Sequence, residues 1–154
     1  QNKYIMLAHA NLWEIRLVIF VKPNHAQNIS SVHKQCCATG IANVIGNKGS
    51  VLISFQYGES TFCFVSAHLA AHQEKEKDRN DNYADIVRST PTDPKLNLAS
   101  AFDYCFFAGD LNYRIDLPRS DVVQLAQSHQ FDTLTNNDQL RRVMRTNLAF
   151  FFVL

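Results

Sequence analysis

A mixed α/β (α+β) fold is predicted by three features of this 154-residue sequence. Short apolar runs rich in aromatic and β-branched residues read as strands, charged stretches with apolar positions at helical spacing read as helices, and Gly- or Pro-bearing breaks separate them. The length fits about one ordinary domain, and a composition of 46% hydrophobic and 19% charged residues is that of a globular chain.

In chain order, the apolar stretch Leu12 to Val21 carries Glu14 and Arg16 and is too short to span a bilayer, so Glu14 to Lys22 is expected to be a core strand. Pro23-Asn24-His25 opens a loop, and Gly40 to Gly49 is expected to form another. Ser50 to Tyr57 and Thr61 to Ala67 are β-rich runs joined by Gly58-Glu59-Ser60, a hairpin signal. Gln73 to Arg88 is dense in charge, with Tyr83, Ile86 and Val87 at helical spacing; it is expected to lie on the sheet with its charged face solvated. Thr90-Pro91-Thr92-Asp93-Pro94 breaks that helix, and Asp103 to Phe107 forms the next strand. Pro118 begins a second helix with Asp121 in its first turn and Val122, Val123 and Ala126 on one face. The apolar run Ala149 to Leu154 has no polar cap, and the sequence opens on Gln1, so an incomplete piece of a domain is expected.

The formal charge of +1 argues against a protein that coats nucleic acid. Cys36, Cys37, Cys63 and Cys105 show no C-x-x-C metal spacing, and a reducing compartment is the simpler reading. Residues 1–27 show no signal-peptide pattern, so the sequon Asn28-Ile29-Ser30 is expected to be a chance match.

The most informative segment is Phe106-Phe107-Ala108-Gly109-Asp110-Leu111-Asn112-Tyr113-Arg114. An apolar strand delivers a carboxylate and an amide, two residues apart, onto a loop where Gly109 permits a sharp exit. On an extended loop both side chains would point the same way, Asp110 to activate a water and Asn112 to donate to an oxyanion. An ordinary Gly-Asp turn would leave the same string. The segment Gly46-Asn47-Lys48-Gly49-Ser50 places a cation beside flexible glycines, suited to an anion. It lacks the Gly-Lys-Ser/Thr-helix order of a nucleotide loop. His68 leaves the same end of the sheet as Asp110 and is placed to donate to a phosphoryl oxygen. His68 and His72 have the spacing of a helical zinc pair but lack the adjacent Glu.

In order and spacing, GIANVIGNKGSV, FVSAHLAAH, DRNDNY, FFAGDLNYRIDLP and NDQL resemble the inositol polyphosphate 5-phosphatases, of synaptojanin and OCRL-like type, from about Tyr4 to Leu140. The resemblance implies a DNase I-like four-layer αββα sandwich, of which this chain holds the central part only. It implies a Mg²⁺-dependent phosphatase that removes the 5-phosphate of phosphoinositides, such as phosphatidylinositol 4,5-bisphosphate, or of soluble inositol polyphosphates. It matches Asp110 to the acid that positions or deprotonates the attacking water, Asn112 to an amide steadying the phosphoryl group, and His68 to a contact of the scissile phosphate. Asn47 and Lys48 match residues near the substrate head group, with Arg79, Asn80, Tyr113 and Arg114 in support. The implied partners are a membrane phosphoinositide or an inositol phosphate, with peripheral membrane contact in the cytoplasm, no nucleic acid and no oligomer.

The family's early metal-binding Glu and its terminal Ser-Asp-His have no counterpart here, so residues 1–154 are expected to be an incomplete catalytic domain, inactive alone, with an apolar sheet face left open. A nuclease of the same superfamily and a non-catalytic lipid- or partner-binding product are the alternatives.

Overall fold

The computed structural model describes residues 3–41, 45–90, 98 and 100–146. The expectations placed on residues 42–44, on Pro91 to Pro94 and on Ala149 to Leu154 lie outside them. Two sheets form the framework. The first is the antiparallel pair β1 (Ile5–Leu12) and β2 (Ile15–Val21). The second has four strands in the order β3 (Ile29–Ile41), β4 (Ile45–Tyr57), β5 (Ser60–His68), β6 (Tyr104–Asp110). The first three of these run antiparallel, and β6 lies parallel to β5 after a crossover through helix α2 (Glu76–Ser89). A four-residue helix, α1 (Pro23–Ala26), follows β2, and α3 (Arg119–Gln127), α4 (Phe131–Asn136) and α5 (Gln139–Arg145) complete the described chain.

Three expectations change. The strand expected over Glu14 to Lys22 forms as β2, but the apolar stretch at residues 12–21 is not one strand, because the chain reverses at Trp13-Glu14 between the paired residues Leu12 and Ile15. That turn contains neither Gly nor Asn, and Trp13 takes the left-handed conformation (φ 50°). The turn was therefore illegible, and β1 with it. Residues 45–49, expected in a loop, belong to β4; Thr39 pairs with Lys48 and Ala38 with Gly49. Glycines had suggested a loop, but the ladder to β3 continues through them. On α3, no residue is buried, and Val123 and Ala126 are exposed, so the expected apolar face does not form a core contact.

The β4–β5 hairpin forms as expected, with Gly58 supplying a positive φ of 59° in a two-residue connection between Tyr57 and Ser60. Alternation along β4 and β5 divides the interior. Cys63, Val65 and Ala67 pack toward α2 with Leu52, Ile86 and Val143, while Val51 and Ile53 on the other face pack against Ala8, Ala10 and Ile15 of the first sheet. Ile86 is buried, and Tyr83 and Val87 pack beside it, as the helical spacing predicts. Beyond the cover of the first sheet, Phe55, Phe62 and Phe64 stack in a ladder continued by Tyr104 and Phe106, each 51% exposed.

Gly109 explains how β6 lies so close to β5 near its end. A Cβ there would stand 2.1 Å from the Ala67 carbonyl oxygen, and its φ of +131° is one that side chains rarely adopt. Gly109→Ala is therefore expected to destabilise by at least roughly 1–3 kcal/mol from backbone strain alone, read as a lowered urea midpoint at unchanged slope.

Candidate active site

Register brings the expected residues together. Gly49, His68 and Asp110 occupy one rung across β4, β5 and β6, and Lys48 precedes Gly49. The Lys48 ammonium lies 2.6 Å from His68 Nε2, which in turn is 3.5 Å from Asp110 Oδ2. An ammonium only donates, so in this contact Nε2 is the acceptor. Burial pushes the Lys48 pKa down, and the Asp110 carboxylate opposes that shift. Asp110 remains mostly exposed, with 67% of its side chain open to solvent, so its lone pairs face the space above the strand ends. Asn47 is exposed on β4 beside Lys48. The result is a cation, an imidazole and an open carboxylate at one sheet edge, suited to holding a phosphoryl group and accepting a proton from water.

Asn112 is reached differently from the expected extended loop. It is left-handed (φ 57°); its Nδ2 donates to the Leu69 carbonyl at 3.0 Å, and its Oδ1 accepts from Arg114 at 2.8 Å. The amide ties the segment after His68 to the segment after Asp110. The backbone N–H of Leu69 donates to the Asp110 carbonyl across the same gap. His68 and His72 do not share a helix: His68 ends β5, and His72 sits at a positive φ of 78° before α2 begins.

Support comes from the first turn of α2. Tyr113 donates its hydroxyl proton to Asn80 Oδ1 at 2.5 Å, and burial pushes the phenol's pKa up. Arg79, expected on a solvated face, is wholly buried. It donates to the carbonyls of Ala70, His72 and Gln73 at 3.2, 2.6 and 3.3 Å and to Gln139 Oε1 at 2.6 Å, with its guanidinium over the Tyr113 ring. Gln139 carried no role in the sequence reading; its only signal was its place in the NDQL string. Its Oε1 also accepts from the Arg114 N–H, and its Nε2 donates to the Gln73 carbonyl and to Asp116. Asp116 in turn receives Arg142, which also pairs with Glu76.

Burial alone would raise the Asp116 pKa, but hydrogen bonds from Arg142, Gln139 and Gln73 outweigh it and hold the carboxyl below its ordinary value. The unfolded chain therefore binds this proton more readily. The stability Asp116 contributes is full above about pH 4 and is lost as pH falls through its depressed folded-state value. Asp116→Asn is expected to flatten the acid limb of a plot of urea midpoint against pH.

Divalent metals need several oxygen ligands. Among the described residues, no group of three His, Cys, Asp or Glu side chains could hold a metal ion. Asp110 supplies one carboxylate, with an ammonium nearby, so these residues do not by themselves fit a Mg²⁺ site.

The strand ends of a two-sheet α/β framework thus carry groups suited to holding a phosphate. The chain belongs to Endonuclease/Exonuclease/phosphatase family 2, whose model matches residues 1–153. It is 39% identical over 156 residues to "Phosphatidylinositol 3,4,5-trisphosphate 5-phosphatase 1" of Xenopus laevis, covering 97% of this chain and 15% of that protein. It is 38% identical over 139 residues to human "Synaptojanin-1", covering 90% and 9% respectively. The crystal structure of the inositol polyphosphate 5-phosphatase domain of spsynaptojanin, in complex with inositol (1,4)-bisphosphate and calcium ion, superposes with a TM-score of 0.85 at 31% identity. That match covers 97% of this chain and 43% of the crystallised one, and it establishes the DNase I-like sandwich fold.

Proposed function

We propose that this chain supplies part of the catalytic centre of a phosphatase acting on the 5-phosphate of phosphoinositides, such as phosphatidylinositol 4,5-bisphosphate, or of soluble inositol polyphosphates. The observation that carries the reading is the convergence of the Lys48 ammonium on His68 and Asp110, which share one rung, in a family whose similar members are 5-phosphatases. In this reading Asp110 accepts a proton of the attacking water as the water oxygen bonds to phosphorus, the bond from phosphorus to the inositol 5-oxygen breaks, and that oxygen leaves as a hydroxyl with a proton taken from solvent. Lys48 and His68 face the phosphoryl oxygens, and Asn47 lies toward the head group. Asn112 and the Arg79–Tyr113–Asn80–Arg114 framework keep the segments after His68 and Asp110 in place.

A divalent ion, Mg²⁺ in our reading, adds charge neutralisation in the whole domain; the spsynaptojanin domain holds calcium with its inositol bisphosphate. Because the described residues group no metal ligands, the chain by itself is expected to bind inositol phosphates without turnover. Substrate on a lipid surface implies peripheral contact with a membrane. None of the described helices is long and apolar enough to cross one.

The test is a chimera in which this chain replaces the matching 43% of the spsynaptojanin domain. Phosphate release from vesicles containing phosphatidylinositol 4,5-bisphosphate is expected with Mg²⁺ from the chimera and not from the chain alone. A folded chimera that releases none would sink the proposal, and cleavage of DNA instead would favour a nuclease.

A further inference from the structure

Cys63 and Cys105 are direct partners across the parallel β5–β6 pair, on the face toward α2, and the proposed hydrolysis uses neither. Cys63 is fully buried; Cys105, on the edge strand β6, is half-buried. Their thiols interact. That contact pushes Cys63 up, with burial adding to it, and pulls Cys105 down, where burial opposes it; Cys105 is also the more accessible of the two sulfurs. Cys36 and Cys37 differ: each makes its sulfur contact with a backbone carbonyl, Asn11 and Ala38.

We propose that Cys63 and Cys105 form a reversible oxidation site, in which a hydroperoxide oxidises Cys105 and Cys63 then closes a cross-strand disulfide. In the first step the Cys105 sulfur attacks a peroxide oxygen and the O–O bond breaks. With hydrogen peroxide, the leaving hydroxide takes the thiol proton, giving Cys105 sulfenic acid and water; sulfur loses two electrons and the peroxide gains them. In the second step the Cys63 sulfur attacks the Cys105 sulfur, the S–O bond breaks, and the hydroxyl leaves with the Cys63 proton as a second water.

Geometry permits closure. Neighbouring strands lie about 4.8 Å apart, inside the Cα range of disulfides, while the Cβ atoms of a disulfide stand about 3.8 Å apart. Side-chain rotation alone would close the remaining distance, so the bond would lock β5 and β6 at about their native spacing at this rung. The same two strands end on His68 and Asp110, which pair in the same register, so the bond would fix the strands that position them.

The site is independent of any phosphatase activity, and its test reads sulfur chemistry directly. The reduced chain is treated with hydrogen peroxide, remaining thiols are alkylated, and tryptic peptides are weighed with and without dithiothreitol. The expected product is a Cys63–Cys105 linked peptide that dithiothreitol resolves, absent from a Cys105→Ser variant and retained in a Cys36→Ser/Cys37→Ser variant. The peroxide-treated wild-type chain carries the peptide assignment with no substitution, and the untreated reduced chain is its control. Recovery of Cys63 alkylated while Cys105 is overoxidised to sulfinic acid, or of Cys105 joined to Cys36 or Cys37, would overturn the proposal.

Discussion

Asp110→Asn in the chimeric domain is expected to lower kcat for phosphate release by about 10²–10⁴-fold, the range lost with a positioned general base, while KM changes little. The substitution is nearly isosteric at an exposed side chain at the end of β6, so it removes proton-accepting capacity without opening the core. A loss confined to kcat marks an interaction made in the transition state. A second effect follows from the neighbouring charge. The Asp110 carboxylate opposes the burial that depresses the Lys48 pKa. Without it the Lys48 value falls further, and the alkaline limb of the kcat/KM profile is expected to move to lower pH. Steady-state rates on phosphatidylinositol 4,5-bisphosphate vesicles across pH check both. An unchanged kcat would remove Asp110 from the chemistry, whereas a raised KM alone would make it a substrate contact.

Sequence carried much of this site because its residues sit where strand order is dictated by strong local signals. The Gly58 hairpin fixes β4 against β5, and the aromatic run at Asp103 to Phe107 reads as a strand and pairs with β5 in parallel. His68 and Asp110 then had to leave at one end. Other parts were illegible for physical reasons. The Trp13-Glu14 turn uses a left-handed tryptophan, so no composition signal marked β1. The glycines near Lys48 suggested a loop, although Gly49 is needed for close packing within a strand, where a Cβ would stand 2.2 Å from the Cys37 carbonyl oxygen. Helical spacing identified the Ile86 face of α2 but could not show that Arg79 is buried, because its partners are carbonyls and an amide up to 60 residues away in sequence. Such a network leaves no periodicity to read. Gln139 was hidden for the same reason.

Arg79→Met is expected to cost on the order of 3–5 kcal/mol, as for breaking a buried charged network, and to destabilise more than Asp110→Asn or Asp116→Asn. Methionine fills much of the side chain's volume, so the loss comes chiefly from polar groups left behind. The carbonyls of Ala70, His72 and Gln73 and the Gln139 amide oxygen all receive the guanidinium, and no water-exposed alternative is open to a wholly buried group. Burial pushes the Arg79 pKa down, yet a guanidinium titrates far above neutrality and stays charged. Its Nε–H has no partner, so part of the desolvation cost is uncompensated in the native protein. Methionine removes that cost, which keeps the expected loss below the sum of four charged hydrogen bonds. Arg79→Lys separates charge from shape: an ammonium has three donors and no planar fork, so it cannot serve four acceptors spread around Tyr113, and an intermediate loss is expected. Urea unfolding followed by circular dichroism provides the measurement. If Met and Lys variants both unfold at the wild-type midpoint, the segment from Ala70 to Gln73 is held by its backbone alone. If both lose stability in the expected order, the guanidinium is what fixes the chain between His68 and α2, and so the approach of His68 to Lys48.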